Sequence, residues 1–169
     1  HPLYQYTETK VPCAICTIQA GNWPSTTPAN CVMEGSLECL PGEDIDEAKE
    51  SFKKYLLLSA KPDPWLKEHP PEIEWFGLRL ESAEIPVDSP IVECVRNASK
   101  IVLNKDVLPL GGGGSDLRLP ILYANSPCIN YGPKGGAIHS TNEYVDLNSV
   151  LNITKVLGKV ILDWCEVAD

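Results

Sequence analysis

The amino-acid sequence predicts an α/β fold in two parts, a β-β-α-β layer followed by alternating helix, strand and helix. Apolar and polar side chains alternate over residues 29–40, which is typical of a half-buried antiparallel strand. Apolar residues recur at helical spacing in three segments, each of which follows an Asp or Ser that can cap a helix. Because the pattern changes near residues 82–88, we place a domain boundary there, between residues 1–83 and residues 84–169.

In the first part, the β-branched residues 11–20 predict a strand that precedes the alternating strand 29–40. Asp44 is positioned to cap a helix, which a charged, proline-bearing loop over residues 61–71 follows. Residues 72–81 predict a third strand with a bulge near Gly77, because the alternation changes phase there. Such a layer buries only one face of its sheet, so its other surface or edge is available to a partner.

In the second part, Ser89 and Pro90 stand where a helix favours its cap and first-turn proline. A short helix over residues 116–123, interrupted at Pro120, and a short buried strand over residues 127–131 are predicted next. Asp146 caps a final helix, whose wide apolar face predicts deep burial.

The formal net charge of −9 excludes classes of protein that need a basic face, such as those that bind nucleic acid or anionic membranes. No apolar run approaches the roughly 20 residues of a membrane span. These features predict a cytoplasmic protein. The seven cysteines are odd in number and dispersed, which predicts free, buried thiols. Cys13 and Cys16 form a lone C-x-x-C with a structural role, although a thiol redox protein built on this pair is an alternative.

Three motifs in the second part point to one family. A glycine run over residues 111–114 leads into Ser115-Asp116-Leu117-Arg118, Asn130-Tyr131-Gly132-Pro133 follows, and His139-Ser-Thr-Asn142-Glu143-Tyr-Val comes last. This order resembles the C-terminal end of the M20 metallopeptidases, and a loop over residues 63–72 resembles the acetylornithine deacetylase-like branch. The resemblance implies that residues 1–83 are part of the lid that makes the family's dimer contact. Residues 84–169 would then end an α/β zinc-exopeptidase catalytic domain.

The resemblance also assigns roles to residues that are unremarkable by themselves. It implies a metal ligand at His139, supporting residues around the ligand at Asn142, Glu143 and Asp116, and substrate contacts at Gly113, Gly114, Ser115 and Arg118. Asp116 and Arg118 are also expected to pair and brace the glycine loop. The residue types alone are equally typical of a surface histidine, a polar turn before a helix, an Asp helix cap and a flexible glycine linker.

The implied chemistry is metal-assisted hydrolysis of an N-acyl amino acid or short peptide, with two zinc ions, or cobalt or manganese, in the complete site. The family's other ligands and its catalytic glutamate belong to His-x-Asp and Glu-Glu motifs, and neither motif occurs in these 169 residues. No catalytic residue is therefore predicted in this chain, which we expect to be the C-terminal half of a homodimeric hydrolase. The alternative is a non-catalytic dimerisation or regulatory module.

Two positions depart from the family pattern. Ser36 stands where M20 lids usually carry an arginine that binds the substrate carboxylate, and Ser25 stands at a common asparagine position. These departures weaken the expectation of an amino-acid substrate, unless Arg79 replaces the missing arginine.

We expect this chain by itself to show no amidase activity, because it carries one candidate ligand and no catalytic glutamate. Release of acetate from N-acetylornithine by the purified, metal-loaded chain is the measurement. Turnover above the buffer rate would contradict the prediction.

Overall fold

The computed structural model describes residues 1–5 and 13–166, and the chain divides into two compact units, His1–Ser82 and Ala83–Asp169. The described part is a mixed α/β structure with two two-stranded antiparallel sheets and five α-helices. Its elements are a 3₁₀ turn at Pro2–Tyr4, β1 Cys13–Ala20, β2 Cys31–Leu37, α1 Ile45–Ala60, α2 Pro64–Glu68, α3 Pro90–Leu103, α4 Arg118–Ala124, β3 Gly135–Gly136, β4 Tyr144–Val145 and α5 Leu147–Cys165.

Strands β1 and β2 form an antiparallel hairpin, as the sequence predicts, although residues 11 and 12 of the first predicted strand lie outside the described residues. The register shifts between Ile15 and Thr17, so that Cys16 bulges out of the ladder. Opposite the bulge the strands approach closely, and a Cβ at Gly35 would lie 2.1 Å from the carbonyl oxygen of Ala14. Glycine is therefore required at this position.

The half-buried character predicted for β2 is wrong. Six of its seven residues are exposed, and only Leu37 is partly covered. In the described part of the chain, α1 makes no extensive contact with either strand. The alternation of apolar and polar side chains therefore predicted the strand correctly here, but it did not predict burial.

Helix α1 begins at the predicted cap. One carboxylate oxygen of Asp44 accepts hydrogen bonds from the backbone N–H groups of Glu47 (3.0 Å) and Asp46 (2.8 Å), and these bonds lower the pKa of its carboxyl. The segment after α1 was predicted as a loop, but it contains the short helix α2. Asp63 caps α2, and Pro64 occupies its first turn, where the missing N–H costs nothing.

The strand predicted over residues 72–81 is absent from the described structure. Two prolines precede the segment, and Gly77 has a φ of +78°, which interrupts an extended conformation. Residues 72–82 instead contact α1 and the loop before it. These contacts are an edge-to-face packing of Trp75 on Phe52 at 5.9 Å, Lys49 above the Trp75 ring, an ion pair between Arg79 and Asp46 at 3.3 Å, and a hydrogen bond from Ser82 to the Cys39 carbonyl.

The core of the second unit is the contact between α3 and α5. Ala98 on α3 and Val156 on α5 are fully buried, and Val95 and Val160 complete the cluster. Helix α3 begins at Pro90, as predicted, but the Ser89 hydroxyl donates to the Pro86 carbonyl at 2.6 Å and does not cap the helix. The packing of these two helices is what gives the second unit a defined interior.

Helix α5 starts at its predicted cap, Asp146, but the predicted deep burial holds for only one of its faces. Val156 and Val160 are buried against α3, whereas the side chains of Leu151 and Ile161 are 63% and 60% exposed. The helix is apolar around most of its circumference and packs along one side within the described structure.

Two further elements of the second unit differ from prediction. Helix α4 continues through Pro120, because a proline in the first turn removes an N–H that has no helical acceptor. Residues 127–131 are not a strand, yet Ile129 and Tyr131 pack on the core, and the Tyr131 hydroxyl donates to Ser99 at 3.2 Å. The apolar pattern correctly indicated contact with the core there, but the residues are only partly buried and do not form a strand.

The cysteines of the described residues are free, as predicted, but the prediction that they are buried is wrong. Four are exposed, namely Cys13, Cys16, Cys31 and Cys165. Partial burial raises the pKa of the Cys39 and Cys94 thiols, which disfavours the thiolate at both. Within residues 1–5 and 13–166, none of the helices has the length and apolar content that crossing a bilayer requires.

We expect Val156→Ala to lower the free energy of unfolding of the second unit by about 2 kcal/mol, because it removes two fully buried methyl groups and leaves a cavity. Urea denaturation followed by circular dichroism measures the change. Leu151→Ala on the exposed face of the same helix is the control, with an expected change within about 0.5 kcal/mol. Equal effects of the two substitutions would contradict the assigned core.

Candidate functional site

Two of the three residues predicted to support the metal ligand lie with it in one hairpin loop, whereas Asp116 lies before α4. Strands β3 and β4 pair Gly135 with Val145 and Gly136 with Tyr144, and residues 137–143 connect them. His139, Asn142 and Glu143 all belong to this connection. The hairpin requires glycine in its first strand, because a Cβ at Gly135 would lie 2.6 Å from the Tyr144 carbonyl oxygen.

The loop has an unusual backbone. Ala137, His139 and Asn142 all have a positive φ, of 55°, 60° and 65° respectively. Two turns fold the loop, through hydrogen bonds from the Ser140 N–H to the Ala137 carbonyl (2.9 Å) and from the Glu143 N–H to the Ser140 carbonyl (3.2 Å). Left-handed conformations cost non-glycine residues on the order of 1 kcal/mol each, and such strain concentrates at functional sites.

The His139 side chain is exposed at the surface of this loop. In the described structure neither Asn142 nor Glu143 makes a hydrogen bond to its ring, and their supporting role stays a prediction. Within residues 1–5 and 13–166, no three His, Cys, Asp or Glu side chains are grouped so that they could hold a metal ion. The residues present therefore do not fit a complete metal site, and His139 supplies a single candidate ligand.

The glycine loop leads into α4. A Cβ at Gly112 or Gly113 would meet nothing within 4 Å in the described part of the chain, and neither residue has a positive φ. The fold of this chain therefore does not itself require glycine at these two positions. Ser115 is partly buried and accepts hydrogen bonds from the N–H of Leu117 at its hydroxyl and from the N–H of Arg118 at its carbonyl, both at 3.4 Å.

Arg118 begins α4 with part of its guanidinium group buried. Its Nε and Nη1 atoms are shielded from solvent and have no hydrogen-bond partner in the described structure. The predicted pair between Arg118 and Asp116 is thus not formed. Asp116 is not the helix cap either, because Leu117 occupies the cap position and no side chain caps the helix by a hydrogen bond. A buried donor without an acceptor costs about 1–3 kcal/mol, and more when it is charged.

A second arginine, Arg96, was not predicted from the sequence, and it binds the segment before the glycine loop. Arg96 on α3 binds the Asp106 carboxylate through Nε (3.2 Å) and Nη2 (3.0 Å). The hydrogen bond from Arg96 lowers the pKa of the Asp106 carboxyl. The stability that this pair contributes is therefore present above the ordinary Asp pKa of about 3.9 and is lost as the pH falls below it. Both side chains are partly exposed, so the pair orients the segment more than it stabilises the fold.

Two residues of the first unit bear on the binding of a substrate carboxylate, namely Ser36 and Arg79. Ser36 is exposed on β2, and Arg79 is engaged with Asp46 in an exposed ion pair. Because residues 72–81 are not a strand, Arg79 does not occupy the lid-strand position that was expected of it.

Comparison with known proteins assigns the chain to a family. Residues 7–163 match peptidase family M20/M25/M40. The chain belongs to this family. The predicted resemblance is thereby confirmed, and the M20 match spans both units of the structure.

Two curated relatives of this M20 chain carry the same name. The N-formyl-4-amino-5-aminomethyl-2-methylpyrimidine deformylase of Halalkalibacterium halodurans is 25% identical over 162 residues, covering 88% of this chain and 37% of the relative. The protein of that name from Bacillus subtilis is 23% identical over 159 residues, again covering 88% of this chain and 37% of the relative. The chain thus spans just over a third of the length of these relatives.

We expect Gly135→Ala to open the hairpin that carries His139, because its Cβ would collide with the backbone of β4. The Asp146 N–H, which donates to the Lys134 carbonyl at 2.8 Å, is the reporter. Its amide exchange should accelerate about tenfold or more, which corresponds to about 1.4 kcal/mol of lost protection.

Gly132→Ala is the matched control for this substitution, since a Cβ at Gly132 meets nothing within 4 Å in the described structure. Its exchange at Asp146 should stay at the wild-type rate. Unchanged exchange in Gly135→Ala would show that the hairpin tolerates a side chain there.

Proposed function

We propose that this chain is the C-terminal portion of an M20 hydrolase that removes a small acyl group, formyl or acetyl, from a linear N-acyl amine. The observation that carries the proposal is the M20 match over residues 7–163, which includes the glycine loop and the His139 hairpin. The deformylase name of the two relatives supports a small acyl group. Within such an enzyme, this chain contributes substrate contacts and one metal ligand.

The glycine loop is the proposed substrate-contacting surface. Neither the backbone conformation nor the packing of the described chain requires glycine at positions 112 and 113. Because glycine has no side chain, a ligand can approach the backbone closely at these positions. Backbone N–H groups in such a loop stabilise negative charge that develops on a carbonyl oxygen. We assign Gly113, Gly114 and Ser115 to this role.

Arg118 lies at the end of the same loop and is the proposed polar anchor. Its buried Nε and Nη1 atoms have no acceptor in the described structure, and burial of an unpaired cation is costly. A bound substrate with an acceptor atom would remove this cost, because guanidinium N–H groups form strong, directional hydrogen bonds. The predicted effect of Arg118 is therefore on substrate affinity and orientation.

His139 is proposed as one ligand of a metal centre whose other ligands lie outside this chain. A neutral imidazole on an exposed loop is a suitable donor for zinc, and cobalt or manganese are alternatives. Asn142 and Glu143, one turn further along the loop, and Asp116 on the glycine side are the proposed supporting residues. When bound, the metal ions would polarise the amide carbonyl and activate water.

The substrate class follows from the missing carboxylate contacts. Ser36 and Ser25 replace the arginine and asparagine expected for an amino-acid substrate, and Arg79 is engaged with Asp46. The substrate named for the relatives, an N-formyl aminomethylpyrimidine, has no carboxylate in its name. We therefore propose an N-acyl amine without an α-carboxylate in preference to acetylornithine, which was the expectation from the resemblance.

The test uses a protein that joins this chain to the remainder of the M20 fold. We expect a kcat/KM at least tenfold higher for N-formyl-4-amino-5-aminomethyl-2-methylpyrimidine than for N-acetylornithine. His139→Ala should lower kcat by about 100-fold or more, since removal of a metal ligand or its support typically costs at least that much. His69→Ala removes an exposed histidine that stacks on Trp65 in the other unit, and it should leave the rate unchanged. A preference for acetylornithine would overturn the substrate class, and full activity of His139→Ala would overturn the ligand assignment.

We further propose that the parent protein is a homodimer that associates through residues 1–83. In the described residues, β1 and β2 pair with each other only, so each has an unpaired edge. Large apolar side chains on both strands are exposed, including Ile18 at 66% and Val32 at 56%. An exposed strand edge with apolar neighbours favours pairing with another chain.

Ile18→Lys should shift the sedimentation equilibrium of the chain towards monomer by at least tenfold in Kd, because a charged side chain blocks edge pairing. Leu108→Lys in the second unit adds the same charge at a side chain that is 65% exposed, and it should leave the Kd unchanged. A wild-type chain that sediments as a monomer at every concentration would contradict the proposal.

A further inference from the structure

The His139 hairpin is too small to hold its own position. Its strands contain two residues each, and they enclose a seven-residue connection, residues 137–143, with three left-handed residues that are not glycine. Isolated two-stranded hairpins are marginally stable even when their strands are longer and their loops are unstrained. Something outside the hairpin must therefore fix the place of the loop.

The structure provides this support at the base of the hairpin, where Lys134 precedes β3. The Lys134 carbonyl accepts a hydrogen bond from the Asp146 N–H at 2.8 Å, which adds one rung to the two-residue ladder. The Lys134 N–H donates to the hydroxyl oxygen of Ser149 at 2.9 Å. Both backbone groups of Lys134 are thus held by residues at the start of α5.

Ser149 makes contacts on both sides of this junction. Its hydroxyl accepts from Lys134 and donates to the Asp146 carbonyl at 2.6 Å, while its own N–H donates to the Asp146 carboxylate at 2.8 Å. A hydroxyl in the first turn of a helix usually bonds within its own helix or to water. Here it joins the helix to a backbone group fifteen residues earlier in the chain.

Helix α5 is itself fixed in the core. Val156 lies seven residues after Ser149, about 10 Å along the helix axis, and is fully buried against α3. The contacts therefore run from the core along α5 to the Ser149 hydroxyl and the Asp146 N–H, and from these two groups to Lys134 at the base of the hairpin.

We propose that Ser149 is a positioning residue that fixes the hairpin loop carrying His139 relative to α5. The importance of this loop for catalysis rests on the proposed function. Ser149 itself would act through Lys134 and touches no reacting group. A residue that only capped α5 would affect the helix and leave the loop unchanged, and this difference is measurable.

The experiment uses the chain itself and compares Ser149→Ala with Ser149→Thr and Thr154→Ala. Thr154 is the matched control, because its hydroxyl also bonds within α5, to the Val150 carbonyl at 2.9 Å, without reaching the hairpin. The measurements are NMR amide exchange at the turn N–H groups of Ser140 and Glu143 and the line width of the His139 ring signal, which His139→Gln assigns.

In Ser149→Ala we expect exchange at Ser140 and Glu143 to accelerate about tenfold and the His139 signal to narrow as the loop becomes mobile. Ser149→Thr keeps the hydroxyl and should restore wild-type exchange, and Thr154→Ala should not alter it. Exchange within twofold of wild type in Ser149→Ala, or an equal acceleration in Thr154→Ala, would overturn the proposal.

These results are independent of catalysis. In the complete enzyme, Ser149→Ala should lower kcat by about tenfold, and Ser149→Thr should recover it. Should His139→Ala leave kcat unchanged while Ser149→Ala still loosens the loop, the positioning role stands and the proposed function fails.

Discussion

The contact between α3 and α5 determines the geometry of the second unit, because both candidate site loops are attached to it. Ala98 and Val156 are fully buried at this contact. From α5, Asp146 and Ser149 hold the His139 hairpin, and from α3, Arg96 holds the segment that leads to the glycine loop. Neither loop has an interior of its own. A change in the packing of the two helices would therefore move both loops.

The first unit shows how little of a fold can be inferred from apolar content alone. Ala60 is the one side chain in its described part that is buried, while Trp23, Trp65 and Phe76 are each more than 60% exposed. Trp75 differs from these exposed aromatic residues, because it packs on Phe52 and lies under Lys49. These contacts hold an irregular segment against α1. Exposed apolar surface on this scale exceeds what single surface residues account for, and it supports the association proposed for this unit.

Local signals predicted the helices, while pairing and burial depended on distant residues. Asp44 and Asp146 marked two helix starts correctly, because a cap bonds to N–H groups within three residues and leaves a trace in the sequence. The strand predicted over residues 72–81 failed because alternation does not specify a partner, and Gly77 turned the chain out of an extended path. The same limit applies to burial, since the alternating β2 is exposed.

The candidate site was predictable to a similar extent. The motif around His139 was recognisable, and the structure places its residues in one loop. Arg96 and Ser149 were missed because each acts on a segment ten or fifteen residues away, and neither position shows a pattern in its own neighbourhood. The unpaired guanidinium atoms of Arg118 were equally invisible, since the absence of an acceptor is a property of the folded chain.

The exposed side of α5 has a consequence for how the chain unfolds. The heat capacity of unfolding grows with the apolar surface that unfolding newly exposes, and so does the sensitivity of stability to urea. With Leu151, Ile161 and Trp164 already in contact with water, the exposed side of this helix contributes little to either quantity. Loss of the native structure should therefore spread over a wide range of temperature and urea concentration, with a shallow stability curve and low cooperativity.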